Sequence, residues 1–88
     1  MNGDDVRDRK VAEVLPIQHA VANASPSAWR DAIVTATGPQ HIELSSLDGQ
    51  SVFLWSSAPV LTGEPVAYHP VAELLAAGSI RYRARRAA

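Results

Sequence analysis

Asp48-Gly49 lies between two predicted strands, 41–47, in which apolar and polar residues alternate at first, and 50–56, the return strand. An Asp-Gly step in that setting is the strongest short-range hairpin signature a sequence carries, because a type I′ turn needs two residues that tolerate positive φ. A two-residue loop at 48–49 pairs Leu47 with Gln50, Leu44 with Phe53 and Ile42 with Trp55. Side chains directly opposite share a face. One face of the predicted hairpin therefore carries Ile42, Leu44, Phe53 and Trp55. The other carries His41, Glu43 and Ser45 opposite Ser56, Leu54 and Val52. The four large apolar residues of the first face converge on one side, and a slip of one residue would scatter them. In this register Val52 and Leu54 stand on the outer, more polar face.

Other strands are predicted around this hairpin. Residues 31–37 are rich in β-branched types and end at Gly38-Pro39, a strong break. Residues 64–69 form a short strand with Pro65 at its start, where a missing N–H is harmless, and Pro70 ends it. Residues 70–78 fit two patterns. Pro70, the helix formers after it and Gly78 would make a two-turn helix. Alternatively Gly78-Ser79 is a hairpin turn that sets Leu75 opposite Tyr82 and Ala77 opposite Ile80. The hairpin is preferred because it lengthens a sheet with little other cover. Residues 80–85 form the last strand in either case.

The first 28 residues read as an arm or linker, partly disordered. Residues 1–10 are almost wholly polar and have the character of a frayed terminus. Val11, Val14 and Leu15 have helical spacing, capped by Asp5 or Asp8, but Pro16 is expected to stop such a helix near Val14. The alternative is an extended arm lying along the body. Residues 23–28 have linker composition, which sets the folded domain at 29–88. The expected fold is all-β: five to six short antiparallel strands with a flexible or loosely docked N-terminal arm. In strand count, spacing and size the body resembles a small SH3-like barrel. The resemblance implies a fold and brings no functional residue with it.

Composition narrows the function classes. With 47% hydrophobic and 19% charged residues, the chain has too much apolar content for full-length disorder. It has no cysteine, hence no disulfide framework, thiolate zinc site or cysteine nucleophile. No apolar run reaches the 18 or so residues that a membrane span needs, and the polar start is unlike a secretory signal, so a cytoplasmic protein is expected. Alanine is abundant (15 of 88) and arginine outnumbers lysine 7 to 1, as in a GC-rich bacterial coding genome. Arginine count alone is therefore a weak functional argument. The layout of charge says more. Residues 31–80 carry Asp31, Glu43, Asp48, Glu64 and Glu73 and no lysine or arginine, while the last eight residues carry Arg81, Arg83, Arg85 and Arg86. The net charge of −1 thus conceals an acidic middle and a basic end.

Catalysis finds little support. Serine, histidine and acids are present, but no Gly-x-Ser-x-Gly turn exposes a nucleophile. A body of this size is expected to be too small to enclose a pocket of about 300 Å³ or more. His41, Glu43 and His69 have a workable ligand spacing in part, yet alternating polar residues on a solvated strand explain them as well. No cofactor and no metal is expected. The glycines are isolated, and those at 38, 49, 63 and 78 fall at predicted turns rather than in a phosphate loop.

Two binding classes remain. Nucleic acid is the lesser expectation. Arg81, Arg83 and Arg85 would project to one side of a strand, a stripe of about 13 Å, with Tyr82 and Arg86 beside them. Against it stand the acidic body, the pI of about 6.2 and the apparent need for Phe53 and Trp55 in the core. The plainer role of these arginines is to pair with Glu43, Glu64 or Glu73, or to guard a sheet edge. Protein interaction leads. Val52 and Leu54 would form an exposed patch to be covered by the arm, a second copy or another protein. Trp29, just outside the first strand, anchors the arm, belongs to an interface or is a core residue at the barrel's end. The expected role is thus a non-enzymatic protein-interaction or assembly module able to self-associate through its outer sheet face.

Overall fold

The computed structural model describes residues 14–87. Expectations about residues 1–13 lie outside the described residues. The chain forms a small all-β barrel: helix α1 (Pro16–Ala24), a 3-10 turn (Pro26–Ala28), then strands β1 (Arg30–Thr37), β2 (His41–Ser46), β3 (Ser51–Trp55), β4 (Pro65–His69), β5 (Leu74–Ala77), β6 (Ile80–Arg83) and β7 (Arg85–Arg86). All pairings are antiparallel, in the order β6-β5-β4-β1-β2-β3-β7. The strand count exceeds the expected five to six because the last strand is interrupted at Ala84. Its first half pairs with β5 and its second with β3, which nearly closes the sheet into a barrel. Ala84 points into the core, and its N–H bonds to the Glu73 carbonyl at 2.9 Å.

The β5–β6 hairpin forms as predicted, with Leu75 opposite Tyr82 and Ala77 opposite Ile80. Gly78 alone of the two turn residues has positive φ (+63°). That is the requirement of a type II′ turn.

The β2–β3 hairpin forms in a different register from the one predicted. Leu44 stands opposite Val52, Ile42 opposite Leu54 and His41 opposite Trp55. The cause is the turn. Ser46 N–H bonds to the Gln50 carbonyl at 2.8 Å, so Leu47, Asp48 and Gly49 make a three-residue loop. Gly49 has φ +89°, whereas Asp48 stays at negative φ. A type I turn followed by a left-handed glycine needs only that one positive φ. Asp48 stabilises the loop by accepting from the Ser46 hydroxyl and the Gln50 N–H. These two hydrogen bonds, the hydroxyl's first, hold its carboxyl below the usual carboxylate range.

One extra loop residue exchanges the faces. Val52 and Leu54, expected outside, are each 2% exposed and belong to the core with Ile42, Leu44, Val34, Val66, Tyr68 and Leu75. Phe53 and Trp55, expected inside, are 49% and 52% exposed. A barrel of this size is filled by its side chains. Branched aliphatics fit that interior, each contributing about 1.5–3 kcal/mol of burial. β1 carries a bulge at Thr35, between Val34 and Ala36, whose hydroxyl donates to the Glu43 carbonyl at 3.0 Å.

A second apolar cluster lies outside the barrel, where α1 covers Ala72 and Leu74 with Ala22, supported by Val14, Val21 and Trp29. Pro16, expected to end a helix, instead begins one. At the first helical position a missing N–H is no loss. Gln18 fixes the docking. Its Oε1 accepts from Leu15 N–H at 3.0 Å, and its Nε2 donates to the carbonyls of Ala72 (3.0 Å) and Glu73 (3.1 Å). Residues 14–28 are therefore packed on the body, and residues 23–28 close α1 and form the 3-10 turn rather than an open linker. Among the described residues no helix is long and apolar enough to cross a membrane.

Candidate docking face

With Val52 and Leu54 turned inward, the alternation of β3 sends Phe53 and Trp55 to the outer face. β3 lies between β2 and β7 there. One row across the three strands is His41, Trp55 and Arg85, and the next is Glu43 and Phe53. Ala87 continues the second row, its N–H bonding to the Phe53 carbonyl at 2.8 Å. The strands hold both aromatic side chains on regular, hydrogen-bonded backbone. His41 is braced from behind, because its ring fills the space that a side chain on Gly38 would take.

Trp55 also borders a groove of about 520 Å³, lined among others by Gln18, Ser56, Glu73, Arg83 and Arg85. The groove opens on the surface and encloses no volume. The Ser56 hydroxyl donates to the Arg83 carbonyl at 2.7 Å, and among the described residues no histidine lines the groove. Glu73 has φ +58°, a costly backbone state for a residue with a side chain. Its carbonyl accepts from both Gln18 and Ala84, which explains why the turn keeps that conformation.

The structure divides the predicted site residues. Val52 and Leu54 are core and cannot form an exposed patch. Trp29 is half-buried beneath α1. Its ring meets His69 edge-on at 5.1 Å, and the Arg81 guanidinium lies 5.3 Å above it. Arg81 also reaches His19 Nδ1 (3.1 Å) and Asn23 Oδ1 (3.4 Å), so it joins α1 to the barrel and leaves the stripe. Tyr82 is half-buried, opposite the fully buried Leu75. Arg83, Arg85 and Arg86 are exposed. Among the described residues none of the four arginines bonds to Glu43, Glu64 or Glu73. His69 is buried elsewhere, away from His41 and Glu43, and among the described residues no three metal-ligating side chains converge.

The side chains missed by sequence reasoning are Phe53 and Trp55. The residues that misplaced them could also have found them, since Leu47-Asp48-Gly49 fits a three-residue loop as well as Asp48-Gly49 fits a two-residue one. Fold and face together define a small all-β barrel with an aromatic outer surface flanked by opposite charges. Compared with known proteins, the chain matches no family model, no curated relative and no solved structure.

Proposed function

We propose that this protein is a non-enzymatic protein-interaction or assembly module whose docking surface is the outer face of β2, β3 and β7. One observation carries the reading. Phe53 and Trp55 lie two residues apart on one rigid strand, each about half exposed, with the barrel already filled by other side chains. Exposed aromatics on a stiff frame lose little entropy when covered, and Trp and Arg are enriched at the centres of interfaces. Phe53 and Trp55 take the role first given to Val52 and Leu54, with Arg85 beside them. Under this reading the frame is an SH3-like barrel working in the cytoplasm.

Nucleic-acid binding is the second reading, favoured by one feature. Trp55 stands opposite Arg85 and shares a groove with Arg83, and stacking beside a guanidinium suits a single strand. Glu43 next to Phe53 and Glu73 in the groove work against phosphates there.

Photo-cross-linking decides between the two. A benzophenone amino acid at position 53 should give adducts in cells that protease digests and nuclease leaves intact. The same group at Leu61, 75% exposed on the loop after β3, should give few. Nuclease-sensitive adducts at 53, or equal yields at both positions, would overturn the proposal.

A further inference from the structure

We infer that the occupant of this face is a second copy of the same chain, bound about a two-fold axis. The inference rests on the docking reading above and deepens it. Glu43 and Arg85 occupy diagonally opposite corners of the face. Glu43 is opposite Phe53 on the β2 side, and Arg85 is opposite Trp55 on the β7 side. The two aromatics lie between those corners. A two-fold axis in the plane of contact, perpendicular to that diagonal, brings each Glu43 against the partner's Arg85 and gathers all four aromatic rings in the middle.

Such a surface is self-complementary, as a two-fold interface must be. It is poorly complementary to anything of a single charge. An acidic partner or a phosphate chain meets Glu43, and a basic partner meets Arg85. The other axes are worse. An axis along β3 would set Arg85 against the partner's His41, and Glu43 against Ala87 with no cation to meet it. The favoured axis crosses the two sheets at a large angle, one of the two ways sheets pack face to face. Glu43 and Arg85 also remain available: Glu43 is bonded through its carbonyl, to Thr35, and Arg85 makes no side-chain hydrogen bond among the described residues.

The face comprises His41, Glu43, Phe53, Trp55, Arg85 and Ala87, against about 20–30 residues a side in a stable interface, so the association is weak and exchanging. Because two charge pairs hold it, salt weakens it.

Sedimentation equilibrium from about 10 μM to 1 mM, at low and high salt, tests this in the concentration range where weak complexes form. The full chain should self-associate at low salt and much less at high salt. Glu43→Arg or Arg85→Glu alone should each weaken association by about tenfold or more, since symmetry places two like-charge contacts in every dimer. The double variant Glu43→Arg with Arg85→Glu should restore it, and Trp55→Ala should abolish it. These side chains lie outside the core, so circular dichroism should show the fold retained in each. A monomer throughout the low-salt series would overturn the inference, as would failure of the double variant to recover. If the chain is monomeric while cross-links at position 53 still join a different protein, the second copy is excluded and the docking reading survives. If those cross-links join nucleic acid, both are excluded.

Discussion

Nε2 of His69 donates to the carbonyl of Ser25 at 2.8 Å, and this contact ties the end of β4 to the segment leaving α1. The direction is fixed by the other ring nitrogen. Nδ1 accepts from the N–H of Ala72 at 3.0 Å, so the ring proton must sit on Nε2. With Trp29 packed perpendicular to its ring, His69 is a buried polar residue whose two ring nitrogens both find backbone partners.

His69→Ala is expected to destabilise the fold by about 2–4 kcal/mol, because it leaves the Ala72 amide unpaired, removes one of the two donors to the Ser25 carbonyl and opens a cavity beneath the 3-10 turn. Long-range ¹⁵N–¹H NMR should show His69 as the Nε2–H tautomer, and urea unfolding of the variant gives the loss. A stability within 1 kcal/mol or so of the parent would mean that the outer cluster holds α1 without this bond.

Gln18 makes the complementary prediction. Its Oε1 accepts and its Nε2 donates, and the two ends serve different elements. Gln18→Ala should cost about 1–2 kcal/mol. Gln18→Glu should cost more than its near-identical shape implies, since a carboxylate oxygen then faces the carbonyls of Ala72 and Glu73. Hydrogen exchange should localise both effects to α1 and the β4–β5 turn and leave β1–β3 protected.

The turn at Asp48 carries a pH dependence whose sign follows from its hydrogen bonds. Its carboxyl is lowered by the Ser46 hydroxyl and the Gln50 amide. A group depressed in the folded state stabilises the fold above its unfolded pKa, and that contribution is lost as pH falls through the folded value. Thermal unfolding followed from neutral to acid pH should therefore show a decline that Asp48→Ala flattens. The side chain is fully exposed, so the effect is small. A variant with an unchanged pH profile would mean that the Ser46 and Gln50 contacts are not kept in solution.

The positions of the strands were largely legible in the sequence, and the facing of one hairpin was not. Pro65, Pro70, Gly78 and Asp48-Gly49 mark chain breaks through local backbone chemistry, which acts over a few residues and can be recognised there. The facing of β3 depends on whether Leu47 belongs to the strand or to the loop. Local patterning is indifferent to that choice, because 42, 44, 53 and 55 make as good an apolar face as 42, 44, 52 and 54. The three-residue turn sets it, and that turn is kept because it gives the nearly closed barrel an interior its side chains fill, a property of all seven strands together. The docking of α1 was hidden for a similar reason. Its anchors, Gln18, His69 and Arg81, are polar residues whose partners lie 44 to 62 positions away.

Adjacent positions on β3 offer the sharpest check of that facing. Leu54 is 2% exposed and opposite Ile42, whereas Phe53 is 49% exposed and opposite Glu43. Leu54→Ala should cost about 2–5 kcal/mol, the range for emptying a core leucine site. Phe53→Ala removes a larger side chain, yet it should cost about 1 kcal/mol or less, chiefly through strand preference and partial burial. In the alternative register, with a two-residue loop, the order inverts and Phe53 becomes the costly position. Urea denaturation of the two variants distinguishes the registers. The accompanying slopes should stay equal, because neither change alters how much surface the fold hides. A larger loss for Phe53→Ala than for Leu54→Ala would return both aromatics to the core and remove the docking face with them.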